Sequence, residues 1–146
     1  MVDIGSGKGY PSSSLSNFAP HPFVIDEVEC NSMEGFLQSL KFKEMEMQKH
    51  VCTLVGKKAK FKGKKKKWWK EQTLYWKGEA IPRKSIDYSL LIDKAYNELF
   101  KNTKFKKALL STKGQPLKHS IGKSDKSKTV LTENEFVRIL TKMRDQ

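Results

Sequence analysis

The order of apolar and polar positions divides the chain into two short alternating runs and several longer helical ones. Phe23-Val-Ile-Asp-Glu-Val-Glu-Cys30 reads as a hairpin turning at Asp26-Glu27. Beyond it, Met33, Phe36, Leu37 and Leu40 recur at helical spacing, with Asn31 or Ser32 placed to cap the helix. Glu34, Gln38 and Lys41 fall at i, i+4 and i+7 on that helix and form a second, polar stripe. Helical character is expected to continue, with a bend, through Met45, Met47 and Val51 to Leu54, and Gly56 to end it.

The run from Gln72 to Ile81 predicts a second hairpin turning at Lys77-Gly78, stopped by Pro82. Ser85 caps a helix carrying Leu91, Ile92, Ala95, Tyr96 and Leu99 on its apolar face, with Asp87 in its first turn. Thr103 is expected to cap another from Phe105 to Thr112, closed by Gly114 and Pro116. Leu131, Thr132, Glu135 and Phe136 fit a capping box with a hydrophobic staple, opening helix 133–144. Residues 5–16, rich in Gly and Ser, and the polar run 119–128 are expected to be loop. The expected fold is α+β: one compact, mainly helical domain over residues 1–146, with two short β-hairpins and no internal repeat.

Composition narrows the class. With 37% hydrophobic residues in 146, the chain can bury a modest core, and no apolar run approaches the ~20 residues that span a bilayer. The first residues lack the layout of a secretory signal. Two cysteines, Cys30 and Cys52, make neither a disulfide framework nor a zinc-binding pair, so a reducing, cytoplasmic setting is expected, with no metal and no cofactor. Gly-Ser-Gly-Lys-Gly at 5–9 fails as a phosphate loop, since Gly9 stands where Ser or Thr would bind the metal and no strand fits before it.

Charge changes the picture further. The formal net charge is +13, and nine lysines lie between residues 57 and 70 with no acid among them. That field favours an anionic ligand. Phe61, Trp68 and Trp69 interleave with the lysines, as suits a basic loop that stacks on nucleic-acid bases. The plainer alternative is a solvated basic loop whose tryptophans dock into the core. Glu34 has two readings as well: a first-turn acid favoured by the helix dipole, or, if its stripe faces a cleft, a carboxylate tuned by burial for work on water.

Leu15-Ser-Asn-Phe-Ala-Pro-His-Pro-Phe23 followed by Ser32-Met-Glu-Gly-Phe-Leu-Gln-Ser-Leu-Lys-Phe42 resembles the NADAR family, the YbiA-like N-glycosidases. The family pattern is S-N-F, a short hairpin, then a helix reading E-x-x-x-Q-x-x-K-F, which Glu34, Gln38, Lys41 and Phe42 fill without gaps. The likeness runs on through Gln72-Thr-Leu-Tyr-Trp76, Ala108-Leu-Leu110 and His119-Ser-Ile-Gly122 to the last helix. It implies hydrolysis of an N-glycosidic bond: release of ADP-ribose from guanine bases, or cleavage of phosphoribosylamino-pyrimidine intermediates of riboflavin synthesis. By that likeness Glu34 is the catalytic carboxylate. Gln38 and Lys41 orient it or contact ribose or phosphate, and Asn17 and Phe18 line the pocket. One of Trp68, Trp69 or Trp76 stacks on the base, and Lys64, Lys65, Lys66 and Lys67 hold phosphate or nucleic acid.

His119, Ser120 and Gly122, in a loop expected to offer free backbone N–H groups, are candidate phosphate or ribose contacts. Many family members carry an Asp…Trp-Gly-Asp segment and a Gly-rich loop here; this chain has neither, and Asp125 is the nearest candidate for a second acid. That departure and the charge favour ADP-ribosylated nucleic acid, or an ADP-ribosyl nucleotide, as substrate. A reading from another class is a non-catalytic module that binds single strands.

Overall fold

The computed structural model describes residues 1–146. The chain runs β1 (Val2–Asp3), α1 (Ser12–Leu15), β2 (Phe23–Ile25), β3 (Val28–Cys30), α2 (Met33–Ser39), α3 (Met45–Cys52), α4 (Gly56–Lys64), a 3-10 turn (Trp68–Lys70), β4 (Thr73–Trp76), β5 (Glu79–Pro82), α5 (Ile86–Leu99), α6 (Thr103–Leu110), β6 (Leu117–Lys118) and α7 (Glu133–Asp145). Thirty buried apolar residues from nearly all of these elements form one continuous core. The architecture is α+β, with helices around three two-stranded pairs.

Local chemistry explains most boundaries. β2 and β3 pair antiparallel through a turn at Asp26 and Glu27, both with positive φ. β4 and β5 pair through Lys77 and Gly78, also both at positive φ, the geometry of a tight hairpin turn. Ser32 caps α2 by accepting from Gly35 N at 3.0 Å while its hydroxyl donates to Leu54 O at 2.9 Å, so the cap also ties α2 to the end of α3. Ser85 caps α5. At α7 the capping box is complete: Thr132 Oγ1 accepts from Glu135 N, and Glu135 Oε1 accepts from Thr132 N.

Four expectations are corrected. The stretch 57–70 is not a loop: Gly56, at φ +58°, does not close a helix but is the first residue of α4, which packs Ala59 and Gly63 against α2. The helical course expected to run, with a bend, from Met33 to Leu54 is instead interrupted outright at Leu40–Glu44, giving two helices, α2 and α3. Gln48 Nε2 of α3 donates to the carbonyls of Ser39 and Phe42 at the break and to Tyr75 O. Asn102, not Thr103, caps α6, its Oδ1 accepting from Lys104 N and Phe105 N. The Gly/Ser-rich segment holds one helical turn, α1, whose Leu15 is fully buried. A parallel pair, β1 with β6, joins the beginning of the chain to the segment before the 119–128 loop.

Candidate active site

Glu34 reaches its position because α2 is buried on every side. All seven of its residues are buried, and Gly35 lies so close to the end of α3 that a Cβ there would meet Cys52 O and Val51 O at 3.0 Å. The polar stripe therefore faces inward too, onto the floor of a cleft of about 510 Å³, a size suited to a nucleotide-like ligand. Gln38, one turn on, donates from Nε2 to Glu34 Oε2 at 2.7 Å. Its Oε1 finds no hydrogen-bond partner and abuts Gly63 of α4. Lys41 stands a further turn along, half-buried.

The opposite wall comes from the turn that follows α1 and from α5. Glu34 N donates to Asn17 O at 2.9 Å, and Asn17 Oδ1 accepts from the Tyr96 hydroxyl at 2.7 Å. Phe18 lines the cleft beside them. The third side is formed by residues 119–131. His119 donates from Nδ1 to Ile4 O at 3.0 Å, packs edge-on against Phe136 at 5.0 Å, and is backed by Gly122, where a Cβ would collide with the ring. Arg83, only 2% exposed, holds this side in place: Nε donates to Thr129 O, and the guanidinium forks onto Glu135 at 2.7 and 3.3 Å. The buried Tyr88 hydroxyl donates to Val130 O at 2.6 Å.

Electrostatically the cleft is lopsided. Among the residues that line it, Glu34 is the one carboxylate, set among Lys41, Lys60, Lys64, Lys123 and Lys128. Burial pushes the Glu34 carboxyl above the usual glutamate range, against the pull of the Gln38 bond and of the charges of Lys41, Lys60 and His119. Burial likewise lowers the Lys41 ammonium to about 8, opposed by the attraction of Glu34. Such an arrangement holds a proton acceptor at the floor of a site and anionic groups at its rim.

Nine of the residues singled out in the sequence meet here: Asn17, Phe18, Glu34, Gln38, Lys41, Lys64, Trp68, His119 and Gly122. Others do not. Trp76 lies in the core against Phe36, its indole N–H donating to Asp26 Oδ2 at 2.8 Å, beside a separate void of about 10 Å³ that has room for at most a water. Trp69 points outward, half exposed. Ser120 is taken up by Asp3, to which both its N–H and its hydroxyl donate. Asp125 binds Ser127 in the same manner, which holds its carboxyl below the usual range. Lys65, Lys66 and Lys67 stand outside the cleft, Lys66 over the Phe42 ring at 5.4 Å.

The 119–122 loop does not offer free backbone donors as expected. His119 N donates to Glu133 Oε2, Ser120 N to Asp3 and Gly122 N to His119 O, which leaves Ile121 alone of the four. From the sequence, Lys60, Lys123 and Lys128 are not marked as site residues, and the buried Tyr96 is marked only as part of an apolar helix face. Lys60 stands at i, i+4 with Lys64, a spacing that identifies both once 57–64 is known to be helical. Lys123 and Lys128 carry no comparable signal.

A buried glutamate on the floor of a cationic cleft, within a small α+β scaffold, is the class of site that fold and geometry define. The scaffold is YbiA-like: it aligns with the NMR structure of the E. coli protein YbiA at a TM-score of 0.64, over 100% of this chain and 86% of that one, at 18% identity. The chain belongs to the family described as Bacteriophage protein GP30.3, whose model matches residues 9–145. It is 39% identical to the 17.1 kDa protein of the Gp30-rIII intergenic region of Enterobacteria phage T4, over 99% of this chain and 97% of that protein.

Proposed function

We propose that this protein hydrolyses an N-glycosidic bond and releases ADP-ribose from a modified guanine base of nucleic acid. The observation that supports it most is the pairing of one buried carboxylate, Glu34, with five lysines around the same cleft. A diphosphate-bearing ligand matches those cations, and its ribose would be drawn toward the carboxylate. Ser16, Asn17 and Phe18 meet Glu34, Gln38 and Lys41 in this cleft, the residues that resemble the NADAR pattern, which adds support.

In this reading Glu34 stabilises the positive charge that builds on C1′ as the C1′–N bond lengthens. It then accepts a proton from the attacking water, whose oxygen bonds to C1′. The C1′–N electron pair leaves with the base, which takes up a proton from solvent or from the Glu34 carboxylic acid. Gln38 fixes the carboxylate through its 2.7 Å bond. Trp68 and Phe18 supply aromatic surface for the base, and Lys41, Lys60 and Lys64 offset the phosphate charge.

The test is ADP-ribose release from an oligonucleotide carrying ADP-ribosyl guanine, comparing wild type with Glu34→Gln. Release by wild type, with a loss of about 10²- to 10⁴-fold in the variant, supports the reading. No release by the folded wild type overturns it for this substrate. A phosphoribosylamino-pyrimidine is then the next to assay in the same cleft.

A further inference from the structure

We propose that the outward face of α4, together with the 3-10 turn after it, is a binding surface for single-stranded nucleic acid, apart from the cleft it borders. The inference stands independently of the hydrolase reading, because it concerns unmodified strands.

Helix geometry sorts the side chains of α4. Ala59 and Gly63 are buried toward α2, so at about 100° per residue Lys57 and Phe61 project to the far side. Lys60 and Lys64 occupy the flank that lines the cleft. Phe61 is 61% exposed and Trp69 is 50% exposed, and neither ring packs against another aromatic. None of the nine lysines from 57 to 70 pairs with a carboxylate: the ion pairs of the protein engage Lys8, Arg83, Lys94, Lys101 and Arg144 instead.

Ammonium groups without carboxylate partners beside exposed aromatic rings, with Lys70 Nζ 5.9 Å from the centroid of Trp69, suit a strand whose phosphates lie on the lysines while unpaired bases stack on the rings. A duplex hides its base faces and leaves the rings without a role. An anionic lipid surface would select a helix with a continuous apolar stripe. The exposed side of α4 carries one aromatic ring among lysines, which favours the polynucleotide.

Fluorescence anisotropy of the full chain with labelled, unmodified oligothymidylate, over a salt series, tests the surface. The wild type should bind, with log K falling linearly as log salt rises. Phe61→Ala and Trp69→Ala should each weaken binding roughly five- to one-hundred-fold, the range seen for base-stacking rings, and leave the salt slope unchanged. Both side chains are solvent-exposed, so the fold should survive. Replacing Lys57, Lys58, Lys62 and Lys65 together by Gln should flatten the slope by about 0.7 for each phosphate that is no longer neutralised.

No binding by the folded wild type overturns the proposal, even if ADP-ribosyl guanine turns over. Equal affinity for duplex DNA, inorganic polyphosphate or anionic phosphatidylserine vesicles also overturns it, as does indifference to loss of both rings. Absence of turnover with binding intact would instead count against the hydrolase reading alone.

Discussion

The Tyr96 hydroxyl donates to Asn17 Oδ1 at 2.7 Å, joining a fully buried residue of α5 to a half-exposed one that lines the cleft. The two ends of this bond are not equivalent. Removing the acceptor strands a hydroxyl that burial keeps firmly protonated, whereas removing the hydroxyl leaves an amide that water can reach. Asn17→Ala should therefore cost about 1–3 kcal/mol of stability and Tyr96→Phe nearer 1 or less. Denaturant unfolding of both variants checks this, and equal costs would refute it. Because the Asn17 side chain lines the cleft and Tyr96 does not, Asn17→Ala should disturb turnover more than Tyr96→Phe.

Burial of Glu34 implies a stability effect opposite to that of most carboxylates. Its folded pKa lies above the unfolded value near 4.5, so the folded state binds the extra proton. The contribution is then lost as pH rises from the unfolded value through the folded one, and stays lost above it. Glu34→Gln keeps the shape and still accepts from Gln38, without the charge. The variant should melt higher than wild type at neutral pH and lack the wild-type decline over that acidic window. A lower melting temperature at neutral pH would show that the carboxylate is held by more than the contacts described.

Several of these relationships were readable in the sequence because a local rule carries them. Turn chemistry marked both hairpins, and helical spacing placed Glu34, Gln38 and Lys41 on one stripe. The capping box at Thr132 and Glu135 was plain for the same reason. Basic helix α4 was not, since it packs through Ala59 and Gly63, two small residues that leave no apolar stripe to detect. β1 and β6 are two residues each and lie far apart in the chain, too short for any alternation to show. The fate of Trp76 was legible in principle: on β4 it shares a face with Leu74, which is fully buried. No periodicity, by contrast, brings Lys123 and Lys128 of a loop to the cleft of α2.

Lys41 predicts the alkaline side of the pH profile. If turnover needs its ammonium, activity should fall as pH passes about 8, where burial has brought that group. The acid limb should lie above the ordinary glutamate range, in line with the raised Glu34 carboxyl. Lys41→Arg keeps the positive charge across this region, so the alkaline limb should move out of range even if the bulkier guanidinium lowers the maximum rate. An unmoved limb in Lys41→Arg would assign it to another group.

Gly63 of α4 sits directly against the Gln38 side chain of α2, and the two should be strongly coupled. A Cβ at Gly63 would lie 2.7 Å from Gln38 Cδ and collide with Oε1. Ala normally gains about 0.5–1 kcal/mol over Gly within a helix. Gly63→Ala in the wild type should nevertheless destabilise by about 1–3 kcal/mol, because the overpacked side chain must leave its place. Displacing Gln38 also breaks its bond to Glu34, so turnover should fall in the same variant. In a Gln38→Ala background the two closest clashes, with Oε1 and Cδ, are gone and the 3.0 Å contact with Cβ persists, so most of the stability cost of Gly63→Ala should disappear. A double-mutant cycle on unfolding free energy measures this. Coupling below about 0.5 kcal/mol would mean that α4 shifts freely on α2, and that glycine at 63 does not serve the Gln38–Glu34 pair.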